Sequence, residues 1–291
     1  MSDRGAVYDL GYVPYSGERL GRRGAIAATY RDGNYRVLGI KRRARKKIMP
    51  WALAILVIVP AVVFVGSAFL LSSFAPEAES PFASQQEYFS ITGTIIFLFV
   101  VLAAPELLIP DRREGVLSIY SSRPLRPDDY VAARSASLLT MVAAFMLLPQ
   151  LLMYIGFSAL DADGFFSAVV SNSSEIPKFV AASAVYALAY APLALLIATL
   201  ADRKSVATGV YLGAMIIGSS LAAFLVDSGT RYAALLGFAE HPTHVVEWIY
   251  GTSGDTVTER AGFDPWVAML VITGLAVTSV GIMIWRYRRL M

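Results

Sequence analysis

The sequence predicts an all-α integral membrane protein: six transmembrane helices, a cytoplasmic amphipathic elbow helix ahead of them, and both termini in the cytoplasm. Three observations predict it. Hydrophobic residues fill 56% of the 291 positions and the mean hydropathy is +0.56, more apolar surface than a soluble fold of this size can cover. Six apolar runs lie near 51–74, 88–105, 135–159, 179–200, 208–226 and 266–285, each about 18–25 residues long, which matches a hydrocarbon core of about 30 Å. Of the 25 Lys and Arg residues, 22 fall in alternate segments between those runs, the side that the positive-inside rule assigns to the cytoplasm.

Each run is free of Asp, Glu, Lys and Arg in its interior, where one charge costs about 2.5–3.5 kcal/mol on insertion scales. Residues 1–50 carry 12 basic residues, 106–134 five, 201–207 two and 286–291 three. The intervening segments 75–87, 160–178 and 227–265 carry none, Lys178 alone, and Arg231 with Arg260, together with 12 of the 22 acidic residues. The alternation predicts two regions: a cytoplasmic arm and elbow over 1–50, and a six-helix membrane domain over 51–291. The net charge of +3 is then an orientation signal. It is no sign of nucleic-acid binding, for which a clustered basic face and a groove-reading motif are missing. The polar, basic start predicts no signal peptide. The absence of cysteine excludes disulfides, thiolate metal sites and cysteine nucleophiles.

Along the arm, Ile26, Tyr30, Val37, Ile40, Ala44 and Ile48 share a stripe about 80° wide at the helical period. Arg31, Arg36, Arg42, Arg43, Arg45 and Lys46 lie off it. This predicts a helix lying in the membrane interface against anionic headgroups. Asp32-Gly33-Asn34 reads as a bend within it, and Pro50 as the break before the first span. Between the second and third spans, Pro105 and Pro110 are expected to bend or end the second helix. Asp111 is expected to cap a short helix over about Arg112–Ser121, and Arg123-Pro124 and Arg126-Pro127 impose extended backbone. A short helix held between proline joints would act as a lever on two spans.

Pro60, Pro149 and Pro192 sit inside the first, third and fourth spans and allow kinks. Gly209 and Gly213 form a GxxxG in the fifth, read in favour of internal packing over dimerisation. Gln150, Tyr154, Tyr186, Tyr190, Ser219 and Ser220 are the polar groups at depth. They are candidates for a substrate pathway, with mutual hydrogen bonding across helices as the plainer reading. In the long outer loop, Ala233–Phe238 and His244–Tyr250 read as two short helices, broken at His241-Pro242, that dip into the outer leaflet. The histidines there, with Glu240 and Glu247, invite a metal reading, but the spacing alone is weak, and no metal is expected.

The stretch DRREGVLSIYSSRPL, from Asp111 to Leu125, resembles the intracellular coupling segment of type 2 ABC exporter permeases. YDLGYVPYSGERLGRR, from Tyr8 to Arg23, is similar to the arm of an actinobacterial-like subfamily of them. The resemblance implies a non-catalytic membrane subunit in a bacterial plasma membrane, multi-pass, exporting a lipid-like, drug-like, peptide or glycan substrate. It implies two separate ATPase subunits and a second permease copy or sibling as partners. Asp111, Arg112, Arg113, Glu114, Gly115, Tyr120, Arg123, Pro124 and Leu125 would seat in a groove of the ATPase, and Asp202, Arg203 and Lys204 would make a second, smaller contact. For the arm residues Tyr8, Asp9, Tyr12, Tyr15, Gly17 and Arg19 it implies packing near the ATPase or the elbow. No cofactor belongs to this chain, because it holds no G-x-x-x-x-G-K-[ST]; ATP and Mg would sit on the partner. The alternative is an ion-coupled secondary transporter, which would need ionisable residues at mid-membrane, where the sequence shows none. An intramembrane enzyme would need a nucleophile and base at depth, and both histidines lie in the outer loop.

Overall fold

In the computed structural model, which describes residue 17 and residues 20–40, 44–74, 85–122 and 124–291, the chain is an all-α multi-pass membrane protein. Helix α1 (Gly21–Val37) precedes α2 (Arg45–Phe74), α3 (Gln85–Arg113), the short α4 (Leu117–Ser121) and α5 (Pro127–Leu160). Then come α6 (Phe165–Ser171), α7 (Glu175–Leu200), α8 (Lys204–Asp227), a 3₁₀ turn at Arg231–Leu236, α9 (His241–Tyr250), α10 (Val257–Arg260) and α11 (Pro265–Leu290). Among the described residues, six helices are long and apolar enough to cross a membrane: α2, α3, α5, α7, α8 and α11. Every predicted run lies within one of them. Each helix extends beyond its run because flanking polar residues continue the backbone ladder into the interface.

Helices α3 and α7 form the centre of the bundle, each with 61% of its most apolar stretch buried, against 17% for α8 and 22% for α2. The Ala-rich face of α7 (Ala182, Ala187, Ala191, Ala194, Ala198) is buried, and small side chains let helices approach closely in lipid, where packing rather than water exclusion drives association. At Gly156 on α5, a Cβ would stand 2.6 Å from a methyl of Val65 on α2, so glycine sets that crossing.

Several local expectations are corrected. Helix α3 runs through Pro105 and Pro110 to Arg113. Each proline removes one ladder bond, yet the helix continues past both, with Pro105 buried. Gly115 ends it instead. At φ +68° it lets the N–H groups of Gly115 and Val116 reach back to the carbonyls of Arg112 and Asp111, at 3.3 and 3.0 Å, a closure that an L side chain resists. The following helix is therefore five residues long, and Asp111 caps nothing. Asp32-Gly33-Asn34 makes no bend but lies inside α1. Gly33 is there for contact, since a Cβ would fall 2.3 Å from Ser137 Oγ on α5. The buried face of α1 is Thr29, Gly33 and Val37, of which only Val37 belongs to the predicted stripe; α1 ends at Val37, and Ile48 lies exposed on α2, so the stripe does not run along one helix. Pro50 lies within α2, and His241-Pro242 starts α9, with proline in the first turn, where its missing N–H costs nothing. A Cβ on Gly209 would meet nothing within 4 Å, and one on Gly213 only Ile217 of its own helix, so among the described residues no other helix closes on the GxxxG. Helix α6 had no sequence signal beyond Gly164.

The loops sort onto two ends. The basic end gathers α1, α4, the α7–α8 turn and the end of α11. The acidic end carries α6 and the segment from the 3₁₀ turn to α10, which packs as a lid. The lid dips inward: Tyr186 OH and Thr243 Oγ1 are 3.2 Å apart, and Tyr190 OH donates to the Ala239 carbonyl at 3.3 Å. Those tyrosines lie roughly 16 and 22 Å along α7 from Glu175 at 1.5 Å per residue.

Candidate functional site at the basic end

The basic end is organised by a buried charge cluster contributed by three helices. Asp111, on the last turns of α3, is 0% exposed. Its Oδ1 accepts from Arg36 Nη1 of α1 at 2.6 Å; its Oδ2 accepts from Arg134 Nη2 of α5 at 2.8 Å and from Tyr130 OH at 2.9 Å. Arg134, also buried, pairs with Asp32 at 3.0 Å and donates to the Thr29 carbonyl at 3.3 Å. Arg36 reaches Asp32 at 2.7 Å. Two guanidinium groups thus face two carboxylates, the balance that a low-dielectric site requires. For Arg36, burial and the Arg134 charge press its pKa down, but Asp111 and Asp32 hold it above the ordinary value.

Aromatic rings carry the cluster outward. The Arg134 guanidinium lies 5.5 Å from the centre of the Tyr130 ring. Tyr130 packs on Tyr120 of α4 at 5.8 Å and on Tyr287 of α11 at 5.0 Å. Burial, then the Asp111 charge, raises the Tyr120 hydroxyl's pKa. Leu117 and Leu125, buried on either side of Tyr120, pin α4 to the bundle. Further ion pairs ring the cluster: Arg22 grips Asp129 through two bonds of 2.7 Å, Arg288 grips Asp128 at 2.8 and 2.6 Å, and Lys204 meets Glu106 at 2.5 Å.

The predicted coupling residues divide by this geometry. Arg113, Glu114, Gly115 and Pro124 are exposed. They form a rim with Ser118, Ile119, Ser121 and Ser122, next to an open cleft of about 490 Å³ lined by Arg22, Ser121, Pro124, Leu125, Arg126, Pro127 and Met291. Tyr120 is half-buried behind the rim. Asp111 and Leu125 are buried, so neither offers its side chain to a partner's groove. Arg112 turns inward: its guanidinium donates to the carbonyl of Ala198 at 2.7 Å and to those of Thr199 and Ala201. Those carbonyls lack helical partners at the end of α7, and a cation suits the negative pole there. Asp202 and Arg203 are exposed, and Lys204 is held by Glu106. Arg123 lies outside the described residues, as do Tyr8, Asp9, Tyr12, Tyr15 and Arg19; Gly17 is exposed.

The polar groups at depth form no continuous track. Gln150 Nε2 donates to the Gln85 carbonyl at 3.1 Å, Tyr154 OH to that of Val169 at 2.5 Å, and Tyr211 OH to that of Tyr190 at 3.1 Å. Ser219 Oγ accepts from the Ala239 N–H at 3.3 Å, and Ser220 is exposed on the outer face of α8. The bonds of Gln150, Tyr154, Tyr190 and Ser219 run to backbone groups of other elements, and Tyr186 meets Thr243, so the six do not pair with one another. Tyr154 borders a cavity of about 340 Å³ at the acidic end, with Gln85, Ser158, Glu175 and Tyr250.

Sequence reasoning missed Asp32, Arg36, Tyr130 and Arg134. Arg134 adjoins an apolar run and was counted with the loop. The available signal was its spacing from Tyr130 and Ser137, one helical turn each way, which puts all three on one face. No protein-family model and no curated protein matches the chain.

Proposed function

We propose that this chain is the membrane subunit of an ATP-driven exporter of the type 2 ABC class, with both termini in the cytoplasm of a bacterial cell and ATP hydrolysis on separate subunits. The observation that carries the reading is the placement of the exposed rim Arg113–Ser122 directly over the buried Asp111 cluster. A subunit gripping the rim pulls on Tyr120 and the α3 terminus. Through Asp111 it pulls on α1 and α5, and through Arg112 on α7. Charge asymmetry supports the orientation. Binding of ATP to the partner would favour one arrangement of these helices, and hydrolysis would release it. The least buried spans, α2 and α8, with the open Gly209–Gly213 face, are where a second permease copy would pack. An apolar groove of about 440 Å³ between α5, α7 and α11, lined by Leu139, Leu188, Pro192, Val277, Val280 and Ile284, suits a lipophilic cargo.

A second reading, an ion-coupled carrier, draws on Asp111 and Arg134, which are ionisable and buried within spanning helices. Against it, both are paired, at one end of the bundle. The test is isolation of the tagged chain from its native membrane, with photolabelling by azido-ATP. A second polypeptide should take the label, and Ile119→Asp with Glu114→Arg should lose that polypeptide while keeping the thermal midpoint. Gradient-driven flux through vesicles holding this chain alone would refute the proposal.

A further inference from the structure

The lid at the acidic end holds a second cluster that plays no part in the reading above. His244 and Glu247 lie one turn apart on α9, both buried, at 6% and 7% exposure. Glu259 reaches them from the four-residue α10. One donor atom from each lies within 4.8 Å of the other two. Glu247 Oε2 is buried with no hydrogen-bond partner, and among the described residues no Lys or Arg pairs with Glu247 or Glu259. Their carboxylates enclose Gly254, whose N–H donates to Glu259 Oε2 at 3.0 Å. A Cβ on Gly254 would lie 2.0 Å from Glu247 Oε1. A carboxylate left unsatisfied beside a second carboxylate, away from water, is costly.

The histidine is set up for coordination. Its Nε2 faces the carbonyl of Phe263 at 3.2 Å. A carbonyl only accepts, so Nε2 carries the proton and Nδ1 keeps its lone pair. A metal-bound histidine is commonly oriented by such a bond from its far nitrogen to a carbonyl. Nδ1 now meets the Thr256 hydroxyl at 3.1 Å, whose oxygen also caps α10 by accepting from the Glu259 N–H at 3.4 Å; a metal on Nδ1 replaces only the bond to the ring. We propose that His244 Nδ1, Glu247 and Glu259 bind one divalent transition-metal cation, zinc by donor chemistry, which staples α9 to α10. One imidazole and two carboxylates match the nitrogen and oxygen donors zinc accepts, with water in the fourth position. Tetrahedral zinc sets its donors about 3.4 Å apart. The half-buried Glu259, on a short helix at the surface, is the ligand that closes the difference.

The site is tested on the full-length chain in detergent, stripped with EDTA, and titrated with zinc against a chromogenic chelator. One zinc per chain is expected at micromolar free metal, unmoved by millimolar magnesium or calcium. His244→Ala, Glu247→Gln and Glu259→Gln should each weaken binding about tenfold or more, while Asp255→Asn, on the exposed part of the lid, should not. The cobalt-loaded protein should show the visible absorption of a tetrahedral site, lost in Glu259→Gln. Glu259→Gln leaves the packed face of α9 intact, so it decides the matter even if the two α9 variants misfold. Absence of saturable zinc binding, or equal binding by Glu259→Gln, overturns the proposal; neither result bears on the exporter reading, which rests on the opposite end.

Discussion

Replacing Asp111 with Asn removes the charge that two arginines share and changes almost nothing in shape. Asn keeps one acceptor oxygen and turns an NH₂ toward a group that donates. At least one charge-assisted bond is lost, about 1.5–3 kcal/mol. Arg134, 0% exposed, is left with Asp32 at 3.0 Å, a carboxylate whose side chain is 45% exposed, as its nearest counter-charge. Removing one partner of a buried pair costs about 3–5 kcal/mol; because Asp32 stays, we expect about 3 kcal/mol. At roughly 2–4 °C per kcal/mol for a large domain, the midpoint should fall by about 6–12 °C. The assay is size-exclusion elution of a fluorescent fusion after heating in detergent. A companion variant, Asp111→Leu with Arg36→Leu and Arg134→Met, removes three of the four charges, leaves only Asp32, whose side chain is 45% exposed, and should recover most of the loss, since replacing buried ionic groups with apolar ones is close to neutral. A fall below about 2 °C for Asp111→Asn, or no recovery in the triple variant, would refute the claim that this cluster is a tightly coupled, desolvated unit.

Two further outcomes follow from other parts of the structure. Arg112→Ala should strip the α7 terminus of its cation and leave the Ala198, Thr199 and Ala201 carbonyls without their donor. Amide exchange in the last turn of α7 should rise while that of its first half does not, with a stability loss of about 2–4 kcal/mol from the charged bonds. His241 is held neutral by burial, which lowers its pKa, with the ring between Thr258 Oγ1 at 3.1 Å and the Leu235 carbonyl at 3.3 Å. An opened lid protonates near the ordinary value of 6.5 while the packed lid does so only lower. The lid therefore keeps its full stability above that pH and loses it as pH falls through and below it. Exchange of α9 amides, corrected for intrinsic rate, should be faster at about pH 5.5 than at about pH 7.5; equal protection would refute it.

The spans were legible because the lipid imposes one rule on length and polarity, and 208–226 or 266–285 satisfy it without reference to any neighbour. The basic-end cluster was not legible for the opposite reason. Asp111 and Arg134 are surface-type residues in any local window, and only the meeting of three helices shows that their charges are buried together. Gly33 illustrates the same limit. Between Asp32 and Asn34 it has the composition of a bend, and its use as a flat contact for Ser137 depends on a helix about a hundred residues away. Pro105 and Pro110 do not end α3, which continues to Arg113: each costs one ladder bond, and the rest of the ladder remains. At the rim, Arg113, Glu114 and Pro124 are exposed, as charged and proline-bearing loop residues usually are.

The seat of α1 has a consequence for synthesis. Arg22 and Asp129 are 107 positions apart, and translation at about 5–20 residues per second means the arm emerges roughly 5–20 s before the helix that receives it. Until α5 has been made, Arg22 lacks the carboxylate of Asp129, and α1 lacks the helix that seats it. The joint between α1 and α5 can therefore form only after α2 and α3, which lie between them in sequence, have been made.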